Sequence, residues 1–242
     1  MSVARKLHGS YSNVMYISDE GVVMKRPLDS SRKEKAIWYN HQYRAMLFEQ
    51  LGIHVPGIVI PKILSLDTNS LIETYQPGTP LTQGRFATLS TKDQQGLARR
   101  LARFLKTVHQ IKTLPDRQIL QVKFFKSSIY FKALCLPYSF LKNYRVHFNR
   151  LKNNKTLFHK VLCYRDLKAK HLLYDDQKKI LSIIDFGAVD FDIPLKEFCL
   201  DNPLRSGLSL FFLKDVIKSY NRLSSNHAID LSLVKSYLYC AA

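Results

Sequence analysis

Apolar and polar positions alternate at the start of the chain and then change to a helical rhythm. Val14-Met15-Tyr16-Ile17 and Val22-Val23-Met24 flank Asp19-Glu20-Gly21, which predicts strand, hairpin turn and strand, with Pro27 closing the second strand. Gly9 to Asn13 is a small-residue turn ahead of them. From Ser31 to Leu51 the spacing predicts a helix whose Trp38, Ala45, Leu47, Phe48 and Leu51 face inward, and Gly52 marks its end. Ile58 to Leu64 and Leu71 to Tyr75 read as strands, followed by a break at Gln76-Pro77-Gly78-Thr79-Pro80-Leu81. Asp93 to Gln110 is amphipathic, with Leu97, Leu101, Phe104, Leu105 and Val108 at helical spacing and Thr91-x-x-Gln94 as its capping box. Ser206 to Leu223 predicts another helix, and Leu231 to Tyr239 a short last one.

Between these helices lies the most informative pattern. Val161 to Tyr164 is an apolar run that ends at Arg165-Asp166. Leu172-Leu173-Tyr174 and Ile180 to Ile184 are two more, joined by the polar turn Asp175-Asp176-Gln177, and the second ends at Asp185-Phe186-Gly187. Such a hairpin would bring Asp166, His171 and Asp185 to one end of a small sheet.

Composition narrows the partners. The 242 residues are 46% hydrophobic, enough for a sizeable core and too much for wholesale disorder. No run approaches the ~20 apolar residues of a membrane span, and no secretory leader is visible at the start, so a cytoplasmic location is expected. Cys135, Cys163, Cys199 and Cys240 are widely spaced and read as reduced, mostly buried thiols. Lys and Arg number 37 against 19 acids, a formal charge of +18, which favours an anionic partner: nucleic acid, an acidic membrane or a phosphorylated substrate. The bias peaks from Arg117 to Arg165, which holds eleven Lys/Arg, ten Phe/Tyr and no Asp or Glu. Those aromatics and cations suit a phosphorylated or lipid-anchored acceptor, single-stranded nucleic acid, or half-buried helices.

Arg165-Asp166-Leu167-Lys168-Ala169-Lys170-His171, followed by Asp185-Phe186-Gly187, resembles the R-D-x-x-x-x-N and D-F-G signatures of protein-kinase-like phosphotransferases. The resemblance implies an α+β, two-lobed protein-kinase-like fold: a small β-rich lobe over residues 1–75 and a mostly helical lobe over 76–242. It implies ATP and Mg²⁺ as cofactors, Asp166 as the base that accepts the proton of the attacking hydroxyl, and Asp185 as a metal ligand. Lys168 matches a lysine that steadies the transferring phosphoryl group, and Lys25 the strand lysine that grips phosphate. Gly9 stands in the nucleotide-covering loop. Backbone groups of Glu73 and Tyr75 would read adenine. The glutamate that the family places on the first helix, paired with the strand lysine, is not evident: Glu34 and Glu49 are available, and Gln42 lies nearest its expected place.

The family's asparagine is His171 here, an imidazole in place of an oxygen donor that Mg²⁺ prefers. By the resemblance His171 assists the metal or the phosphate. The form R-D-x-x-x-x-H-L-L is most similar to the lipopolysaccharide core kinases, and Leu51-Gly52-Ile53-His54-Val55-Pro56 to the aminoglycoside phosphotransferase branch. After Gly187 there is no long activation loop and no A-P-E, which argues against a protein substrate. Asp192-x-Pro194 with Glu197 instead resembles the motif that follows D-F-G in small-molecule kinases. The acceptor expected first is a sugar hydroxyl of a lipopolysaccharide core, reached through peripheral contact with the anionic inner face of the cytoplasmic membrane. An aminoglycoside-type or other small-molecule acceptor is the alternative. A catalytically degenerate binding module of the same fold is a further one, and a nucleic-acid partner is the least favoured. His109 is expected to be structural.

Overall fold

The computed structural model describes residues 5–10, 13–28, 31–113, 146, 160–198, 207–223, 229 and 232–234. Strands β1 (Arg5–Ser10), β2 (Asn13–Ile17) and β3 (Val22–Pro27) form an antiparallel meander. Its second turn closes where Ser18 N–H donates to Val22 C=O at 3.0 Å, with Gly21 at φ +75°, a conformation that favours glycine. Helix α1 (Arg32–Glu49) starts at Ser31, whose hydroxyl accepts from Glu34 N–H, and Trp38, Ala45, Leu47 and Phe48 are buried as the spacing predicts.

The apolar run after α1 is not one strand. It divides at Ile60-Pro61 into β4 (Ile58–Val59) and β5 (Ile63–Leu66). Proline has no N–H for a ladder, so the chain leaves one sheet there and enters another. β5 and β6 (Leu71–Thr74) complete a five-stranded sheet in the order β1-β2-β3-β6-β5.

Strand β7 (Thr79–Pro80), short helix α2 (Gln83–Ala87) and helix α3 (Thr91–His109) follow. The cap of α3 is Ser90, one residue before the expected Thr91. Its hydroxyl accepts from Asp93 N–H at 3.1 Å and donates to the Asp93 carboxylate at 2.9 Å. The Arg117–Arg165 insert lies almost wholly outside the described residues, as do Cys135, Cys199, Cys240 and most of the last expected helix.

β8 (Val161–Cys163) does not join the hairpin of β9 (Leu172–Asp175) and β10 (Ile180–Ile183). It pairs instead with β11 (Asp190–Asp192), a strand after the D-F-G turn, with Cys163 opposite Asp190. β4, β10, β9 and β7 form a four-stranded sheet in which β4 runs parallel to β10. A single turn, α4 (Pro194–Glu197), and helix α5 (Leu210–Arg222) complete the described part.

The core joins all of this. Leu97, Leu101, Phe104, Leu105 and Val108 of α3 are buried against Phe212, Leu213, Val216 and Ile217 of α5, and continue into Leu162, Leu172, Leu181 and Phe186. At roughly 1.5–3 kcal/mol per fully buried large apolar side chain, this packing dominates the favourable side of folding. Among the described residues no helix is long and apolar enough to cross a membrane.

Candidate active site

Asp166, His171 and Asp185 meet, as the hairpin spacing predicts. His171 stands between the two carboxylates: Nδ1 is 3.2 Å from Asp166 Oδ2, and Nε2 is 3.3 Å from Asp185 Oδ2. Nδ1 also lies 2.9 Å from the Asp166 backbone carbonyl. A carbonyl can only accept, so Nδ1 carries a proton, and Nε2 is the nitrogen that faces Asp185. The imidazole is 4% exposed, while Asp185 is 38% exposed at its side chain; the carboxylate, not the ring, is what an incoming ligand meets. Lys168 pairs with Asp166.

The backbone at both aspartates is unusual. Arg165 has φ +67° and Asp185 φ +64°, the left-handed region that costs roughly 1–2 kcal/mol for a residue with a side chain. Each bend is held from behind. Glu197, fully buried, accepts from Tyr164 N–H at 2.8 Å and Arg165 N–H at 3.0 Å, so one carboxylate clamps the two amides just before Asp166. On the other side Ile184 N–H donates to His171 C=O at 3.0 Å, and the Tyr164 hydroxyl donates to Ile184 C=O. Burial pushes the Tyr164 phenol well above its usual value, with the Asp185 and Asp166 charges adding to it, so it stays a neutral donor.

A second layer supports Glu197. His109 Nε2 is 3.6 Å from Glu197 Oε2, and His109 Nδ1 is 2.7 Å from the Tyr220 hydroxyl, in line with the structural role expected for this histidine. Burial and then the Glu197 charge push the Cys163 thiol well above its usual value, so it is a neutral packing group. Arg165 turns its guanidinium toward β11, with Nη1 3.3 Å from Asp190, and Arg44 of α1 reaches the same carboxylate at 3.4 Å.

Gly187 explains why D-F-G ends in glycine in this chain. A Cβ there would lie 3.3 Å from His41 Cβ and 3.4 Å from His41 O, so α1 rests directly on the turn. Phe186 stacks on Phe48 of α1 at 4.5 Å between ring centroids. Burial and the neighbouring Arg44 hold the His41 imidazole below its usual value, the Asp185 charge opposing them.

Lys25 of β3 is buried, and its ammonium lies 2.7 Å from Glu73 Oε1 on β6. Burial alone would lower the Lys25 ammonium, but the Glu73 and Asp185 charges together outweigh it and hold the group above its usual value. The pairing settles the question left by α1: Gln42 is buried and neutral, and the acid beside Lys25 comes from the adjacent strand. Sequence reasoning assigned Glu73 by its backbone and missed its side chain. The signal was available, since Lys25 and Glu73 share the inward phase of their strands with Val23 and Leu71, where a lone charge is costly.

The other expected nucleotide contacts are dispersed. Glu73 is paired on both sides, with Val23 and with Ile63. Tyr75 N–H donates to Gly21 C=O at 2.8 Å, so that donor serves the sheet and not a nucleobase. Gly9 lies in the bulged stretch of β1, two strands from Lys25.

The donor set suits a hard cation at Asp185. Ligand atoms of Asp166, His171 and Asp185 lie within 4.8 Å of one another. Of the three, the carboxylate oxygens fit Mg²⁺ and the nitrogen does not.

Known proteins share this chain's family and fold. A family described as the phosphotransferase enzyme family matches residues 3–200. The gentamicin complex of APH(2'')-IIa superimposes with a TM-score of 0.71 at 20% identity, over 97% of this chain and 80% of that one. The ADP-bound aminoglycoside phosphotransferase APH(2'')-Ib gives 0.70 at 20% identity, over 97% and 81%. Macrolide 2'-phosphotransferase MphH from Brachybacterium faecium gives 0.61 at 14% identity, over 98% and 80%. At these identities the likeness is one of fold: protein-kinase-like and α+β, β-rich in its first part and helical in its second.

Proposed function

Because this chain belongs to the phosphotransferase enzyme family, we propose that it transfers the γ-phosphate of ATP to a hydroxyl of a small, sugar-bearing acceptor. The enzyme is a kinase acting on an alcohol group. What carries the finer reading is the juxtaposition of Asp166 and Asp185 on either side of His171.

Asp166 takes the proton of the attacking hydroxyl, and its pairing with Lys168 keeps a cation beside the path of the transferred group. Lys25 offsets phosphate charge. Asp185, with His171 behind it, would hold Mg²⁺, whose chemistry is to draw charge from the phosphate oxygens. The nucleotide lies between residues 1–75 and residues 76–242, with its phosphates at Lys25 and its base against the segment that follows Glu73 and Tyr75. The ADP reported for one structural neighbour supports a nucleotide there.

The neighbours act on aminoglycosides and macrolides, which favours a free small molecule as acceptor. A second reading, a lipopolysaccharide-core sugar at an anionic membrane surface, is favoured by the formal charge of +18, which suits a cationic aminoglycoside badly. A binding module without catalysis would have no need of Asp166, Asp185 and Lys25 together.

The test is phosphate transfer from ATP with Mg²⁺ to a panel of gentamicin, kanamycin, a macrolide and core-sugar extract. Asp166→Ala is expected to lower kcat about 10²–10⁴-fold. Turnover stimulated by one class of acceptor identifies it. No transfer to any hydroxyl compound, with nucleotide bound, would overturn the catalytic reading.

A further inference from the structure

We infer that Glu73, on strand β6, is the residue that positions Lys25 for the phosphates, a duty that the family resemblance would give to an acid on α1. The inference rests on the reading of Lys25 as a phosphate-binding residue. Lys25 Nζ and Glu73 Oε1 are 2.7 Å apart, and both residues are 7% exposed. Register makes the pair: Val23 lies opposite Glu73 and Lys25 opposite Leu71, so the two charged side chains are diagonal neighbours on one face of adjacent strands.

Helix α1 offers nothing equivalent. Glu34 is in its exposed first turn, Glu49 is its last residue, and Gln42 is the buried polar side chain among its described residues. The helix is committed elsewhere, through Phe48 stacked on Phe186, Arg44 on Asp190, and His41 against Gly187. Two supports that the family resemblance couples are therefore separate here. α1 holds the metal turn, and the sheet holds the lysine. The carboxylate that meets Lys25 comes from the sheet and not from α1.

The experiment compares Glu73→Gln, Glu73→Asp, Glu73→Gln with Gln42→Glu, and Lys25→Met, reading KM for ATP, kcat, ATP affinity and Tm. Glu73→Gln should weaken ATP binding or lower kcat by about tenfold or more, the scale on which losing a supporting partner disturbs the group it orients. Glu73→Asp should recover part of that loss, and a carboxylate supplied by α1 in the double variant should recover some of it too. A drop in Tm for Glu73→Gln with KM and kcat unchanged overturns the inference and leaves a packing role. If Glu73→Gln does not fold, Glu73→Asp decides: wild-type kinetics despite the shortened reach would also overturn it. Lys25→Met with unaltered ATP affinity and kcat would instead overturn the reading of Lys25 itself, a result separate from any outcome at Glu73.

Discussion

Two residues with side chains, Arg165 and Asp185, hold left-handed backbone at the two aspartates of the candidate site, and Glu197 carries much of the restraint beside Asp166. Replacing it with alanine strands the buried Tyr164 amide, whose bond to a carboxylate is worth about 1.5–3 kcal/mol, and the partly buried Arg165 amide, which solvent compensates in part. Glu197→Ala should therefore unfold at a clearly lower temperature and lose kcat, whereas Glu197→Gln should keep at least one of the two bonds and more activity; thermal melts and turnover check both. At His171, asparagine restores the oxygen donor that the signature calls for, and alanine removes both supports. We expect His171→Ala to cost about 10–100-fold in activity or Mg²⁺ affinity, and His171→Asn less, measured by Mg²⁺ titration of the rate. Lys25 provides a pH test. Its folded value lies above the usual 10.5, so its contribution to stability is complete below about 10.5 and is lost as pH rises through the higher folded value. Wild type should lose stability above that pH more steeply than Lys25→Met, as followed by chemical denaturation. At this scale Asp166, His171 and Asp185 were legible, because a short hairpin fixes their meeting. Glu73 was not, because its partner lies about fifty positions away and only strand register joins them.

Elements were legible wherever periodicity is local. α1 and α3 came out within two residues of expectation, and β9–β10 with its turn as drawn. Errors fell where a choice depends on distant chain. Ser90-x-x-Asp93 and Thr91-x-x-Gln94 are overlapping capping patterns one residue apart, and only the seating of α3 in the core selects the first. Ser90→Ala should cost about 1 kcal/mol, against a few tenths for Thr91→Ala, measured by urea denaturation. The run from Ile58 to Leu64 serves two sheets, which hydrophobicity alone cannot reveal. Gly78 belongs to the same scale: at φ +130°, a Cβ there would sit 3.1 Å from backbone atoms of Leu173 and Tyr174, which cannot swing aside. Gly78→Ala is expected to destabilise by about 1–3 kcal/mol and to loosen β7 from β9, visible as faster amide exchange in Thr79 and Pro80's strand partners.

Across the whole molecule, the phosphotransferase family was readable from two short motifs, each at the end of an apolar strand, but its branch was not: R-D-x-x-x-x-H-L-L pointed to the lipopolysaccharide core kinases, whereas the structural neighbours named above are aminoglycoside and macrolide phosphotransferases. The acceptor was not, since nothing local encodes it and the neighbours span unrelated substrates. Charge acts at this scale. If the +18 chain works at an anionic surface, it should bind vesicles containing acidic phospholipid at low salt and release them as ionic strength passes about 0.15 M, where the screening length is near 8 Å. Vesicle co-sedimentation reads this directly, and no binding at low salt would leave the free small-molecule acceptor as the reading.

The bond between Lys25 and Glu73 also bears on how such a sequence can drift. Neither partner can be lost singly without leaving the other charged and buried, so lineages descended from this chain should change positions 25 and 73 together or not at all. Position 42, relieved of a charge, should wander among residues of similar size.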